Sequence, residues 1–115
     1  DPHHCSFIVP AHGRKGDIQI AVSTGGAAPA IAARIRDELI AAVGEEYESL
    51  VNELSLLRDW IRVMNPESKR NFWKSIRELD LATFRDGKSD LRETIGRILQ
   101  DAESASRKSG STGNE

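Results

Sequence analysis

The stretch GDIQIAVSTGGAAPAIAARIRDEL, from Gly16 to Leu39, combines a strand pattern, a turn and a helix pattern. Its first apolar residues alternate along the chain, as they do on one face of a strand: Ile18, Ile20 and Val22. Its later apolar residues recur every fourth position, as on one face of a helix: Ile31, Ile35 and Leu39. We therefore predict a strand over 18–23 and a helix that begins near Pro29 and is capped at its end by Gly44.

Four residues that favour turns separate the predicted strand from the predicted helix: Ser23, Thr24, Gly25 and Gly26. Glycine permits backbone conformations that other residues avoid, and hydroxyl groups bond nearby backbone groups in turns. A strand that ends in a glycine turn and opens a helix is a place where α/β proteins bind ligands. Taken alone, these residues favour a purely structural turn whose glycines only make room, and a binding site is the alternative.

This stretch and the residues before it resemble a known family. The similarity is carried by Cys5-Ser6-Phe7-Ile8-Val9-Pro10-Ala11 and by the pattern A-V-S-T-G-G-x-x-P-x-x-A-x-x-I-R-D-E-L. Both resemble the bifunctional precorrin-2 dehydrogenase/sirohydrochlorin ferrochelatase family, which also forms the N-terminal half of sirohaem synthases. The resemblance is specific over about residues 1–43 and looser from there to about residue 103.

The resemblance implies an enzyme that oxidises precorrin-2 to sirohydrochlorin with NAD and, in part of the family, inserts Fe²⁺. It also implies that residues 23–26 lie beside a tetrapyrrole-binding cleft at the interface of a homodimer. The family commonly has serine where this chain has Thr24, which keeps the hydroxyl but is bulkier and stiffer. The alternative function is a non-catalytic helical dimerisation or interaction module. A sugar-phosphate-binding domain ranks last because it needs more βα units than this length allows.

The same resemblance places the family's general base, an aspartate, immediately before Asp1, counted back from Ser6. A carboxylate suits this role because it can accept a proton from the macrocycle and can bind a metal ion. Asp1 itself occupies the next, variable position, so we assign no catalytic residue within the chain. In the family NAD binds to a Rossmann unit upstream of this segment, and the chain contains no G-x-G-x-x-G motif. We expect a fragment of a longer polypeptide that is inactive alone.

The histidines and the single cysteine suggest a metal site only weakly. Neither a C-x-x-C nor an H-x-x-x-H spacing supports a closed site, so solvated histidines are the favoured interpretation. His3 and His4 stay weak candidates for metal delivery, whereas His12 is expected to be incidental. Cys5, as the only cysteine, excludes an internal disulfide and fits a reducing compartment; we expect it to pack under the sheet.

Composition and charge exclude several partners. The 115 residues include 16 basic and 18 acidic side chains, and a formal charge of −2 does not favour nucleic acid or an anionic membrane. No apolar run approaches the roughly 20 residues of a membrane span, and no secretory signal opens the chain. We expect a cytoplasmic protein.

The N-terminal part is predicted to contain two strands, over Ser6–Pro10 and 18–23. The charged segment from His12 to Asp17 is predicted to be the loop of a hairpin between them. Two strands are too few for an independent sheet in water. Further strands or a second copy of the chain must complete the sheet, which favours a homodimer.

The C-terminal part is predicted to be a helical bundle. Apolar residues at spacings of three and four predict one helix over 45–64: Tyr47, Leu50, Leu54, Leu57, Ile61 and Met64. We favour a bundle core over an extended coiled coil for this seam. Asn65 and Pro66 are typical of the start of the next helix, and Ser89 with Asp90 of the last. The apolar residues of these two helices are Phe72, Ile76 and Leu79, and Leu91, Ile95, Ile98, Leu99 and Ala102.

The predicted class is therefore α+β and mostly α, with two N-terminal strands followed by a helical bundle. By resemblance, residues 1–10 end a Rossmann domain, 11–43 form a dimerisation segment and 44–103 form a helical domain. The polar residues 104–115 are expected to form a flexible tail. The pairs Arg34/Arg36 and Lys69/Arg70 are predicted to lie on solvated faces. Alternatively, they line the cleft and attract an acidic substrate.

Overall fold

The computed structural model describes residues 9–85 and 90–113, with side chains up to Ala105. It confirms the predicted class, because two strands are followed only by helices in the described chain. The elements are β1 (Ala11–Lys15), β2 (Ile18–Val22), α1 (Pro29–Ala42), α2 (Glu45–Leu56), α3 (Arg58–Arg62), α4 (Pro66–Arg77), a 3₁₀ helix (Leu81–Phe84) and α5 (Leu91–Gly113). The chain divides into two compact units, one ending at Val51 and one beginning at Asn52, so the division falls within α2.

β1 and β2 form an antiparallel hairpin in which Ala11 pairs with Val22 and Lys15 with Ile18. The connection is only Gly16-Asp17, with Gly16 at φ +60°, a conformation that two-residue hairpin turns require. The prediction of a loop over 12–17 is wrong, because most of that segment is β1. Its residues alternate between half-buried and exposed, as a strand with one covered face does. The predicted strand over Ser6–Pro10 lies mostly outside the described residues, and its last two described residues are not in a strand.

α1 packs closely on β1 because Gly13 has no side chain. A Cβ on Gly13 would overlap Cδ1 of Ile40 and would lie 3.0 Å from Cδ of Arg36. Nη1 of Arg36 also donates a hydrogen bond of 3.2 Å to the His12 carbonyl, and Nζ of Lys15 donates to the carbonyl of Val43. The hairpin and α1 are thus joined by side chains that bond backbone carbonyls and that approach the backbone of Gly13 closely.

Gly44 does not close α1 with the left-handed cap predicted for it. α1 ends at Ala42, its C-cap Val43 is extended with φ −78° and ψ 108°, and Gly44 has no positive φ. Instead, the Gly44 carbonyl accepts the N–H of Tyr47 at 3.1 Å, the first hydrogen bond of α2. The glycine therefore begins the next helix.

The single helix predicted over 45–64 is wrong, because it is interrupted at Leu57. The N–H of Leu57 bonds the carbonyl of Leu54 at 3.0 Å, one residue short of the α-helical spacing, and α3 follows. The apolar spacing of three and four residues continues across this break. Such a spacing indicates that the residues lie on one face, and it does not require that the helix is unbroken. Of the six seam residues, only Leu50 and Ile61 are buried, and Tyr47 is 47% exposed.

The second unit has a core of side chains from α4, α5 and their neighbours. The two predicted stripes are confirmed at their buried residues, which are Phe72, Ile76, Ile95, Leu99 and Ala102. Their other members, Leu79, Leu91 and Ile98, are half-buried, and the further buried hydrophobic residues of this unit are Ile61 and Leu81. The predicted caps are also confirmed, since Oδ1 of Asn65 accepts the Ser68 N–H at 2.9 Å and Oδ1 of Asp90 accepts the Glu93 N–H at 3.2 Å. Ser89 lies outside the described residues. The 3₁₀ helix at Leu81–Phe84 was not predicted.

An ion pair joins α2 and α5 within this second unit. Glu53 accepts hydrogen bonds from Nε and Nη2 of Arg92 at 2.8 and 3.0 Å. The hydrogen bond and the charge of Glu53 raise the pKa of the Arg92 guanidinium above its ordinary value. The bidentate geometry fixes the relative position of the two side chains.

α5 continues to Gly113, so the tail expected from Ser104 begins inside a helix. Its polar residues carry no apolar stripe, which is why the sequence favoured an irregular segment. Among the described residues, no helix is both long and apolar enough to cross a membrane.

Candidate functional site

The turn after β2 lines a cleft of about 510 Å³ in the first unit. All four predicted site residues, Ser23, Thr24, Gly25 and Gly26, lie along it. The other lining residues come from the segment before β1 and from the ends of β1, β2 and α1: Val9, Pro10, Ala11, Val22, Pro29 and Ala32. The structure therefore brings the predicted residues together in one concave surface.

Two hydroxyl groups hold the turn and stay able to donate. Oγ of Ser23 accepts the N–H of Gly25 at 3.1 Å, and Oγ1 of Thr24 accepts the N–H of Ala28 at 3.1 Å. A hydroxyl that accepts a hydrogen bond keeps its own proton for another acceptor. Both hydroxyls can thus donate to a bound group while they fix the backbone around it.

Gly25 and Gly26 have backbone conformations that other residues rarely adopt. Their φ angles are +69° and +81°, in the left-handed region. A Cβ on Gly25 would meet no atom within 4 Å. Glycine is therefore favoured at this position because of the positive φ and not because a side chain would lack room. The two glycines turn the chain from β2 to the start of α1 within the cleft.

The start of α1 supplies backbone donors. Its N-cap, Ala28, makes no side-chain cap, and the N–H groups of Ile31 and Ala32 both bond the Ala28 carbonyl at 3.0 Å. In the described part of the chain, no hydrogen bond uses the N–H of Gly26 or of Ala30. Free N–H groups and the positive end of the helix dipole favour a negatively charged group.

Taken together, the described lining offers hydrogen-bond donors and apolar surface but no acidic side chain. A carboxylate accepts hydrogen bonds and donates none, so it matches a lining of hydroxyls and N–H groups. The apolar residues around the turn suit the hydrocarbon part of the same ligand.

Comparison with known proteins places this turn in a segment that matches a model of a biosynthetic family. The family model described as "Sirohaem biosynthesis protein central" matches residues 15–42. The siroheme synthase of Gluconobacter oxydans is 33% identical over 113 residues, which cover 96% of this chain and 23% of that protein. The siroheme synthases of Methylococcus capsulatus and Thioalkalivibrio sulfidiphilus are 29% and 32% identical and cover 92% and 86% of this chain. No solved structure matches the chain at a significant level.

The chain matches a part of the siroheme synthases. It spans about a quarter of the length of the curated relatives that it matches. The segment that the family model covers contains β2, the turn at 23–26 and the whole of α1. The cleft is thus built mainly from the segment that this family model describes.

The metal candidates named from the sequence stay predictions. The described residues contain no group of three or more His, Cys, Asp or Glu side chains that could hold a metal ion. His12 lies on the exposed side of β1. Asp1, His3, His4 and Cys5 lie outside the described residues.

Neither basic pair lines the cleft. Arg34 pairs with Glu38 at 3.1 Å on an exposed face of α1, as the solvated interpretation predicts. Arg36 lies against β1, where it bonds the His12 carbonyl and the carboxylate of Asp37. Lys69 and Arg70 lie in the second unit, on the surface of α4.

The sequence interpretation missed the cleft wall formed by Val9, Pro10 and Ala11. The signal for it is the hairpin register: because Ala11 pairs with Val22, the residues before Ala11 must lie beside those after Val22. The strand predicted over Ser6–Pro10 concealed this relation, since it displaced the hairpin by several residues.

Proposed function

We propose that this chain is the dimerisation and helical part of an enzyme of sirohaem biosynthesis, and that its turn at 23–26 binds the tetrapyrrole substrate. The observation that carries the proposal is the presence of two hydroxyls and the unbonded N–H of Gly26 along one cleft. Most of the residues that line this cleft lie in a segment matched by a family model for sirohaem biosynthesis.

The turn would act on the substrate's carboxylates. These tetrapyrroles carry many carboxylates on a flat macrocycle, so one carboxylate can enter the cleft while the ring stays outside. Hydroxyl donation from Ser23 and Thr24, with the N–H group of Gly26, would fix its position. Hydrogen bonds to a charged group contribute about 1.5–3 kcal/mol each. The role of the turn is thus orientation of the macrocycle.

The complete enzyme, in this proposal, oxidises precorrin-2 to sirohydrochlorin with NAD⁺ as hydride acceptor, and Fe²⁺ is the substrate of a second, chelatase activity. NAD does not fit the residues present: the Gly25-Gly26 turn lacks the G-x-G-x-x-G spacing that brings a pyrophosphate onto a helix start. We therefore assign NAD and the general base to other parts of the full-length protein, and no step of hydride transfer to this chain.

A homodimer is part of the proposal. A two-stranded sheet needs further covering to be stable in water, and α1 exposes Ile31 and Leu39 by 50% and 45%. A second copy of the chain would cover these surfaces around a twofold axis. Sedimentation should give the mass of a dimer at tens of micromolar chain, and a clean monomer would contradict this part.

The substrate role of the turn is tested by two substitutions of Thr24 in the full-length protein. Thr24→Val keeps the shape and removes the hydroxyl, whereas Thr24→Ser keeps the hydroxyl and restores the residue common in the family. We expect Thr24→Val to lower kcat/KM for precorrin-2 by roughly tenfold or more, since one charge-assisted hydrogen bond is lost. Thr24→Ser should stay within about twofold of the parent. The measurement is precorrin-2-dependent formation of NADH.

A melting curve for each variant separates lost binding from lost folding, because Thr24 also bonds the Ala28 N–H. A folded Thr24→Val protein with unchanged kcat/KM would reject the substrate role of this hydroxyl. If the unsubstituted full-length protein forms no NADH from precorrin-2, the dehydrogenase proposal fails. The non-catalytic dimerisation module is then the remaining function.

A further inference from the structure

The outer surface of α4 surrounds one tryptophan with four basic side chains. Lys69 and Arg70 lie four and three residues before Trp73, and Lys74 and Arg77 lie one and four residues after it. With Pro66 and Glu78 they line a concavity of about 860 Å³ in the second unit. Residues three or four apart on a helix are neighbours, about 5–6 Å between Cβ atoms. The cations therefore border Trp73 on both sides along the helix axis.

The charge of this surface is only partly compensated within the described chain. α4 contains four basic residues and one acidic residue, and Glu78, which follows α4, is the one acidic residue among those named above as lining the concavity, whereas the chain as a whole has a formal charge of −2. Among the described residues, no ion pair involves any of the four cations, and Nζ of Lys69 donates to the Arg62 carbonyl at 3.1 Å. Like charges at this spacing repel one another, so a bound anion would relieve the repulsion.

The Trp73 ring packs against the core on one side and is partly exposed. Its ring meets the ring of Phe72 edge to face, with centroids 5.2 Å apart and an angle of 71° between the planes. Phe72 is 0% exposed, whereas Trp73 is 43% exposed. An aromatic ring that the core holds in place, and that cations surround, offers a stacking surface for a flat ligand.

We propose that the α4 groove, lined by Lys69, Arg70, Trp73, Lys74 and Arg77, binds a planar aromatic polycarboxylate at a site separate from the cleft at 23–26. A flat ring stacks on Trp73, and carboxylates around its edge reach the cations on either side. An acidic polypeptide would satisfy the charge but would leave the tryptophan face without a flat partner. Only the identification of the natural ligand as the acidic macrocycle rests on the proposed function; the site itself rests on α4.

The test uses the 115-residue chain and uroporphyrin I, a flat macrocycle with eight carboxylates, followed by its absorption spectrum in a titration. The double substitution Arg70→Gln/Arg77→Gln should weaken binding about tenfold or more, because two charge-assisted contacts are lost. Trp73→Leu should weaken binding about fivefold. The matched control, Arg58→Gln/Arg97→Gln, removes the same charge from exposed positions outside the groove and should change binding less than about twofold.

Three outcomes would overturn the proposal. The first is unchanged binding by folded groove variants, and the second is an equal loss in the control, which would indicate only a general charge effect. The third is displacement of uroporphyrin by poly-L-glutamate at the same carboxylate concentration, which would indicate an acidic polypeptide partner. The α4 variants are compared with the unsubstituted chain by this titration, whereas the Thr24 variants are assayed separately by precorrin-2-dependent formation of NADH. The α4 site can therefore fail while the proposed reaction stands, and the reverse also holds.

Discussion

Each of the two units of the chain is stabilised internally in a different way. In the first unit, through Val51, the only buried hydrophobic residues among those described are Ala32 and Leu50. In the second, Phe72 is 0% and Ile95 1% exposed, and five further hydrophobic residues are buried. The second unit has a side-chain core, whereas the first depends on the close approach of α1 side chains to the backbone of β1.

Because of this difference, the candidate substrate cleft depends on other interactions than the main side-chain core does. The cleft is built from Ser23, Thr24 and two glycines with positive φ, which are features of the backbone and its local hydrogen bonds. A site of this kind needs little core of its own, but it needs the hairpin and α1 to keep their exact separation. Substitutions in the two units should consequently act through different mechanisms.

The largest expected effect is in the second unit. Phe72→Ala should lower the free energy of unfolding by about 3–5 kcal/mol, because it removes a fully buried ring and leaves a cavity. Urea unfolding followed by circular dichroism measures the change. Asn71→Ala, at an exposed position on the same helix, should change stability by less than about 0.5 kcal/mol. A loss below about 1 kcal/mol for Phe72→Ala would mean that α4 does not anchor this core.

The first unit should be destabilised by the addition of one methyl group. Gly13→Ala should lower the free energy of unfolding by about 1–3 kcal/mol, since the new Cβ overlaps Cδ1 of Ile40. Gly13 has no positive φ, so alanine introduces no backbone strain and the effect reports overlap alone. Thermal unfolding of the chain is the measurement.

Ile40→Val tests the cause, because it removes the very Cδ1 atom that the new methyl group would meet. Combined with Gly13→Ala, it should recover a large part of the lost stability, although Ile40→Val alone costs about 0.5–1.5 kcal/mol. Strictly additive losses in the double variant would show that the two residues do not touch. The comparison between the units would then lose its main support.

The same contrast explains which features the sequence predicted. Periodic apolar residues identified the buried centres of α4 and α5, such as Phe72 and Ile95. The reason is that residues on the buried face of a helix recur with the helical period. Caps are equally local: Asn65 and Asp90 each bond an N–H three residues later. The turn at 23–26 was found for a similar reason, since its chemistry lies in consecutive residues.

The errors concern features that depend on distant partners or on small local changes of geometry. β1 contains Gly13, Arg14 and Lys15, and only its pairing with β2 and the cover of α1 make it a strand. The break at Leu57 leaves the apolar spacing intact, so no periodicity reports it. Lys69 and Arg70 were expected to lie on a solvated face or to line the cleft, because the α4 concavity is recognised only when Trp73 is placed among the cations.

The smallest effect sharpens the comparison at the helix starts. α1 begins at Ala28 without a side-chain cap, whereas α4 begins at Asn65, whose Oδ1 accepts the Ser68 N–H at 2.9 Å. Asn65→Ala should therefore lower the free energy of unfolding by about 1 kcal/mol. Asn65→Asp should retain most of the stability that the cap contributes, because aspartate supplies an equivalent acceptor and a charge that the helix dipole favours. Urea unfolding of both variants distinguishes the cap from other roles of the side chain. Equal losses in the two variants would mean that the acceptor oxygen is not what α4 gains from Asn65, and that its start depends on Pro66 and the core beneath it.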